Sequence, residues 1–330
     1  MSTTTRVADG RRPVGRILSR RLVQAPIVLL IVSAAVFWLV QVVPGDPGRV
    51  ALGQFATDEQ VARWKADNGF AGSTAERYLR WLGDFVTGDW GTSLSYREPV
   101  AGLVAERFAN SLLLGVYAFV LVAIAGIGLG LVQAFHQGGR RDRLITITVV
   151  SLSSIPEFAV GTVLLVVFSV FVHWFPVHSG IPDGAGPAAR LTVMTLPAIT
   201  LAAASVGYVA RMARAGTIET LGAPHYRTAV LKGLSRGRVI AAHVTRNSLV
   251  PSVAVLGAQL AFLVGGSVVV ETLFSYPGIG MTIVEAVQKK DLVLMEASIM
   301  VTALGSIVVL LITDLAYLAL DPRIDLTEKA

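Results

Sequence analysis

The stretch that decides how this chain is read runs Pro224-His225-Tyr226-Arg227-Thr228-Ala229-Val230-Leu231-Lys232-Gly233-Leu234, then His243-Val244-Thr245-Arg246-Asn247-Ser248-Leu249-Val250-Pro251. It is a polar, basic hairpin wedged between two apolar spans. Pro224 suits the first position of a helix, where its missing N–H costs nothing, and Gly233 suits a left-handed stop just past the end. The interval allows about two to three turns at ~3.6 residues per turn, far too few to cross a bilayer. Lys232 falls at the C-terminal end, where the helix dipole favours a cation. Residues three and four apart share a face, which groups Tyr226, Ala229, Val230 and Gly233. The spacing predicts a short capped helix held at a membrane surface, an element able to take force from a soluble motor.

Working outward, the flanks are too apolar for a soluble domain. The 330 residues have a mean hydropathy of +0.65 and are 53% hydrophobic and only 15% charged, against roughly 25% charged in globular chains. Six stretches reach the ~20 residues that span the hydrocarbon core: 22–43, 111–136, 145–172, 192–210, 247–270 and 293–318. The first is too long for a secretory signal core and no small-residue cleavage site follows it, so it reads as a retained helix. Division follows directly: an N-terminal arm over 1–21, a first span over 22–43, a loop with short helices over 44–110, a core over 111–320 containing the polar loop 211–246, and a tail over 321–330. The expected fold is all-α and polytopic, with six transmembrane helices.

The formal charge of +6 is confined to particular connections, which makes it a topology signal and not a nucleic-acid footprint. Residues 1–21 hold Arg6, Arg11, Arg12, Arg16, Arg20 and Arg21 against Asp9. Arg140, Arg141 and Arg143 flank Asp142. The 211–246 loop carries Arg211, Arg214, Arg227, Lys232, Arg236, Arg238 and Arg246 against Glu219. In the 44–110 loop, by contrast, nine acids outnumber seven bases. Positive-inside reasoning puts both termini and the 137–144 and 211–246 loops in the cytoplasm, and 44–110 outside.

The outer loop has structure of its own. Asp58–Asn68 reads as a polar helix with an acidic start. Thr74–Phe85 places Tyr78, Leu79, Leu82 and Phe85 on one apolar face. Within the spans, Gly126, Gly128 and Gly130, and later Gly257, Gly265 and Gly266, permit close helix approach. Ser154-Ile155-Pro156-Glu157 interrupts the third span. The proline frees a carbonyl that protein or water must satisfy, which fits either a kink or the border of a translocation path. Glu157, Glu271 and Asp314 are the acids nearest the spans, and such residues are functional candidates by default. Pathway or gate candidates are thus Ser154, Pro156, Glu157, Gly265, Gly266 and Glu271. Inter-subunit pairing is the alternative role for the acids.

The string Arg-Thr-Ala-x-x-Lys-Gly-Leu followed by His-x-x-Arg-Asn-x-Leu-x-Pro resembles the coupling loop of the dipeptide, oligopeptide and nickel permeases of bacterial ABC importers. Pro44-Gly45-Asp46-Pro47, Arg77-Tyr78-Leu79 from Thr74–Phe85, Gly88-Asp89-Trp90-Gly91-Thr92-Ser93, Glu271-Thr272 through Pro277-Gly278-Ile279-Gly280, and Leu318 to Arg323 are similar to the same family, so the likeness covers about Arg16 to Arg323. It implies a type I ABC importer permease fold, with Tyr226, Arg227, Thr228, Ala229, Lys232 and Gly233 as the ATPase-coupling residues. It also implies partners: a second homologous permease, two ATPase subunits, an extracytoplasmic substrate-binding protein and the lipid of the bacterial inner membrane. Peptides are the substrate class by resemblance alone, with nickel or another small solute as alternatives. At Ala223, Pro224 and Val230 the helix lacks charges common in the family, and 68–73 departs from its usual outer-loop pattern, which bears on how the chain pairs with its ATPase.

Other chemistry is absent from the sequence. No Gly-x-x-x-x-Gly-Lys-Ser/Thr loop is present, so the chain is expected to bind no cofactor and to leave ATP to its partners. Zero cysteines exclude disulfides and thiolate sites. His136, His173, His178, His225 and His243 are scattered, without metal-ligand spacing. No nucleophile elbow with triad partners appears, so an enzyme is not expected. An ion-coupled secondary transporter is the reading from another class; it predicts inverted repeats and clustered midplane acids, and neither is apparent.

Overall fold

The computed structural model describes residues 12–42, 46–53, 55–67, 70, 72–182, 184–232, 250–265 and 267–320. Among these, every regular element is helical, with one isolated antiparallel bridge between Thr92 and Pro99. The helices are α1 (Arg12–Val42), α2 (Pro47–Leu52), α3 (Asp58–Asp67), α4 (Thr74–Thr87), α5 (Val100–Phe135), α6 (Arg140–Ser154) and α7 (Glu157–Leu165), which runs on as a π-helical turn over Val166–Phe171. They continue as α8 (Pro187–Gly222), α9 (Pro224–Leu231), α10 (Val250–Gly265), α11 (Val268–Phe274), α12 (Ile279–Lys289) and α13 (Leu292–Leu320).

Small residues set the packing, as they must where lipid tails are as apolar as a leucine and burial alone drives little association. A Cβ on Gly126 would meet the Val209 side chain at 2.7 Å, and one on Gly130 would meet the Ala210 carbonyl at 2.6 Å. Tyr117 lies opposite Thr195, so α5 and α8 run parallel at close range. Gly257 takes Thr313 against it, and Gly265 takes Ser306, which sets α10 antiparallel to α13. Gly128 has nothing within 4 Å; of the three glycines expected to admit a neighbour in this span, it alone does not. The central core joins Leu114 and Val122 of α5, Met194 and Leu201 of α8, Leu263 of α10 and Phe274 of α11. A second core joins Val36 of α1, Val104 of α5, Ile279 of α12 and Leu294 of α13. Large apolar side chains such as Ile31, Leu39, Ile124 and Ile312 remain exposed, as lipid-facing residues do.

Helices Val100–Phe135, Pro187–Gly222 and Leu292–Ala316 are each long and apolar enough to cross a membrane. The fourth expected span is α8, and the second and sixth are α5 and α13. The third stretch, 145–172, is not one straight helix: α6 and α7 meet at 101° across Ile155 and Pro156. Ile155 is extended at φ −83°, ψ 133°, and the proline that follows cannot continue the α6 hydrogen-bond ladder. The fifth stretch, 247–270, divides into α10 and the separate α11, with 247–249 and 266 outside the described residues. The apolar part of α1 covers Val23–Leu39. Loops are shorter than expected, since α5 starts at Val100, inside the 44–110 segment, and α8 extends to Gly222, inside 211–246.

Outside the bundle, α3 and α4 form where the sequence places them. Ser73 caps α4 reciprocally with Glu76, whose carboxyl is held below its usual range by the Ser73 backbone and side-chain hydrogen bonds. Gly88, at φ +86°, ends α4 in the left-handed conformation that favours glycine. The inward face of α4 is Tyr78, Trp81, Leu82 and Phe85; Leu79, expected on that face, is 66% exposed. Tyr78 and Trp81 pack on Phe37 of α1, and the Tyr78 hydroxyl lies 2.8 Å from Ser33 Oγ. That aromatic anchoring, and not the aliphatic Leu79, sets the rotation of the helix.

Candidate functional site

Helix α9 begins at Pro224, directly after Ala223 leaves the helical conformation (ψ 148°) to end α8. The Ala223 N–H donates to Thr220 O, Tyr226 N–H to Ala223 O, and Thr228 Oγ1 to Pro224 O at 3.0 Å. Lys232 N–H closes the last turn onto Thr228 O. The helix is thus two turns long and starts at the expected proline. Tyr226 is half-buried, and Thr228, Leu231 and Lys232 are exposed. Gly233, the expected stop, lies outside the described residues, as does the His243–Leu249 string.

The end of α8 that leads into α9 is fixed to the α5–α6 turn by an ion pair. Arg214 donates from Nε to Asp142 Oδ1 and from Nη2 to Oδ2, both at 2.9 Å, and Gly138 N–H adds a bond of 3.0 Å to Oδ2. This forked geometry is the stronger kind of charge-assisted contact. Asp142 is buried, although three arginines surround it in sequence. A lone acid inside an arginine run was the available signal, and charge counting alone treats it as an offset.

Glu271 lies at the centre of a second cluster. It is fully buried and accepts from Ser111 Oγ and Ser267 Oγ, each at 2.6 Å on Oε1, and from Met281 N–H at 3.1 Å on Oε2. Ser111 Oγ in turn accepts from Ile279 N–H, Tyr276 donates to Asn110 O, and Asn110 Nδ2 donates to Pro277 O. The acid therefore clasps the α11–α12 hairpin to α5. A Cβ on Gly278 would lie 2.4 Å from its carboxyl, so the Pro-Gly-x-Gly turn is the space this carboxyl fills.

The remaining pathway candidates are dispersed. Ser154 and Pro156 are exposed at the α6–α7 bend, Glu157 is half-buried, and Ser154 Oγ is spent on Val150 O. Gly265 faces Ser306 on α13, and Gly266 lies outside the described residues. Helix α7 touches α11 through Gly161 against Leu273 and Phe274, but Glu271 turns away from this contact toward α5. The structure does not bring the five described candidates, Ser154, Pro156, Glu157, Gly265 and Glu271, into one site.

Sequence reasoning missed Ser93 and Asp291. Asp291 is fully buried and accepts from Ser93 Oγ at 2.5 Å, Ser95 N–H at 2.9 Å and Leu294 N–H at 3.2 Å. It caps α13 and docks the 88–97 loop on the same corner. Beside it the Tyr96 hydroxyl donates to Glu285, and Lys289 lies over the Tyr96 ring at 4.7 Å. Burial and the Glu285 bond push the Tyr96 hydroxyl up to about 12. Burial raises the Glu285 carboxyl, but the bonds from Tyr96 and Lys289 outweigh it and hold the carboxyl below its usual value.

A bundle whose described residues include three helices long and apolar enough to cross a membrane, the central one followed by a two-turn helix, has the architecture of a multi-pass membrane protein. Residues 126–326 match the family described as binding-protein-dependent transport system inner membrane component, and 14–114 match its N-terminal counterpart. The chain belongs to this family of ABC importer permeases, membrane proteins of the bacterial inner membrane. It is 34% identical to a glutathione transport system permease protein of Escherichia coli K12 across 92% of this chain and 97% of that one. It is also 30% identical to a probable peptide ABC transporter permease of Sinorhizobium fredii, across 94% and 99%. The inward-facing methionine ABC transporter MetNI shares its fold at a TM-score of 0.55 and 15% identity, over 68% of this chain and 98% of that chain.

Proposed function

We propose that this chain is one half of the translocation pore of a peptide importer and that it works beside a second homologous permease. Two ATPase subunits drive it from the cytoplasm, and an extracytoplasmic binding protein delivers the substrate. Its relatives are named for peptides and glutathione, which supports a short peptide over nickel. The chain itself is non-catalytic and binds no nucleotide; ATP is the partners' fuel. Both termini and the 211–246 segment are cytoplasmic, and the divisions at 21, 43, 110 and 320 follow that topology.

The observation that carries this reading is α9, a two-turn helix whose start is fixed by Pro224 and whose supporting helix α8 is tied to the α5–α6 turn through Arg214 and Asp142. When the ATPases close, a push on Tyr226, Arg227, Thr228 and Ala229 passes into α8, and α8 carries α5 with it because the two helices pack closely at Gly126 and Gly130. Alternating access follows as a rigid tilt of packed helices.

Replacing Gly233 with valine or Ala229 with glutamate tests the coupling. Both variants are expected to insert at normal abundance. Peptide uptake should fall to background, and the ATPases should co-purify poorly or hydrolyse ATP without transport. Wild-type uptake by both variants with the ATPases bound defeats the coupling assignment.

A further inference from the structure

At the outer face, α1, α3, α4, the 88–97 loop and the first turns of α13 enclose a cavity of about 590 Å³, within the usual range for small-molecule sites of roughly 300–1,000 Å³. Its walls are aromatic. Phe37, Trp64, Trp81 and Trp90 line it, with Phe85 stacked on Trp90 at 5.2 Å, and the Arg77 guanidinium lies over the Phe37 ring at 5.9 Å. Glu296 of α13 also lines it. This residue is 7% exposed, and its charged neighbour is the Arg77 guanidinium on the same cavity wall. A buried carboxyl is costly unless it is paired and hydrogen-bonded, and here it borders a cavity large enough to hold a donor in addition to Arg77.

The rim carries both signs, Arg80 and Arg97 with Asp84 and Asp89. That mixture opposes a simple anion or a simple cation and suits a molecule with both charges. We propose that this cavity binds a small zwitterion with a primary ammonium, which Glu296 receives between aromatic faces while Arg80 and Arg97 take the anionic end. Ammonium groups favour such walls, because ring faces attract cations, by more where water is excluded. A free-amine peptide and an ethanolamine phospholipid headgroup share this chemistry. The site lies against α1 and the outer helices, away from the Glu271 clasp, and it stands independently of the peptide-import reading.

Three of the five tryptophans line the cavity, so intrinsic fluorescence reads its occupancy. The full chain is reconstituted in phosphatidylcholine nanodiscs and titrated with tri-alanine and with N-acetyl-tri-alanine. A saturable emission change is expected with tri-alanine. Acetylation should weaken it at least tenfold, as should Glu296→Gln, and Arg97→Gln should weaken it severalfold. In discs containing phosphatidylethanolamine, a headgroup site shows the emission change without peptide, loses it in Glu296→Gln, and excludes tri-alanine; a peptide site ignores the lipid. Equal binding of the acetylated peptide, or no response to either ligand, overturns the proposal. The acetylation comparison uses the native chain alone and decides the matter even if Glu296→Gln does not fold.

Discussion

At the scale of single residues, Glu271 illustrates how a buried acid acquires a structural task. Its three donors come from α5, from the residue before α11 and from the start of α12, so one side chain closes the α11–α12 hairpin and ties it to α5, 160 residues away in sequence. Gly278 has φ −101° and ψ 178°, a conformation open to any residue, and its requirement for glycine is steric. Gly278→Ala should therefore force the carboxyl off its donors, with an overpacking cost of about 1–3 kcal/mol. Thermal unfolding in detergent should show a clearly lowered midpoint, and Ser111→Ala should lower it as well by removing a donor to Glu271 and an acceptor for Ile279 N–H. A Gly278→Ala protein that melts with the native one removes the clasp from the account. The sequence marks Glu271 as an acid beside a span and Gly278 as a turn. It does not show that the two meet, because their contact depends on how α11 and α12 fold back on each other.

At the scale of elements, the outer loop is held to the α12–α13 corner by Ser93, Asp291, Tyr96 and Glu285. The Tyr96 hydroxyl is raised from 10.0 to about 12 by burial and by Glu285. A group raised in the folded state contributes stability below its unfolded value and loses that contribution as pH climbs through the folded one. Docking should thus weaken between about pH 10 and pH 12. In thermal unfolding, the stability difference between native protein and Tyr96→Phe should shrink across that window, because phenylalanine cannot ionise. A difference independent of pH there refutes the Tyr96–Glu285 link. Some element boundaries were legible: the apolar face over Thr74–Phe85 marks α4, Pro224 announces α9, and Pro156 announces a break. The 101° angle at that break was not, since it follows from packing. Gly161 accepts Leu273 and Thr200, and Gly207 accepts Ser153, so neighbours in three dimensions direct α6 and α7. Leu79 fails for a similar reason: periodicity puts it on the inward face, and the aromatic partner Phe37 draws Trp81 inward and leaves Leu79 exposed.

At the scale of the whole molecule, parallel and antiparallel packing fixes which segments share an end of the bundle. Ser93 binds Asp291 at the start of α13, just before α5 begins, while Arg214 binds Asp142 beyond the end of α5. Helix α5 has 36 residues, or about 54 Å at 1.5 Å per residue, enough to separate these two ends by more than a bilayer core of about 30 Å. Trp90 and Lys232 therefore lie at opposite ends. The arginine balance then predicts the sign: the 211–246 segment is strongly basic and the 44–110 segment is not, so Lys232 is expected inside and Trp90 outside. The chain has no cysteine, which makes single-cysteine variants at the two positions directly comparable. An impermeant thiol reagent applied to intact cells should label Trp90→Cys strongly and leave Lys232→Cys unlabelled until the membrane is opened. Labelling of position 232 alone inverts the orientation and detaches α9 from any cytoplasmic motor. Labelling of both in intact cells breaks the end-to-end assignment itself, because α5 then cannot cross the membrane between them.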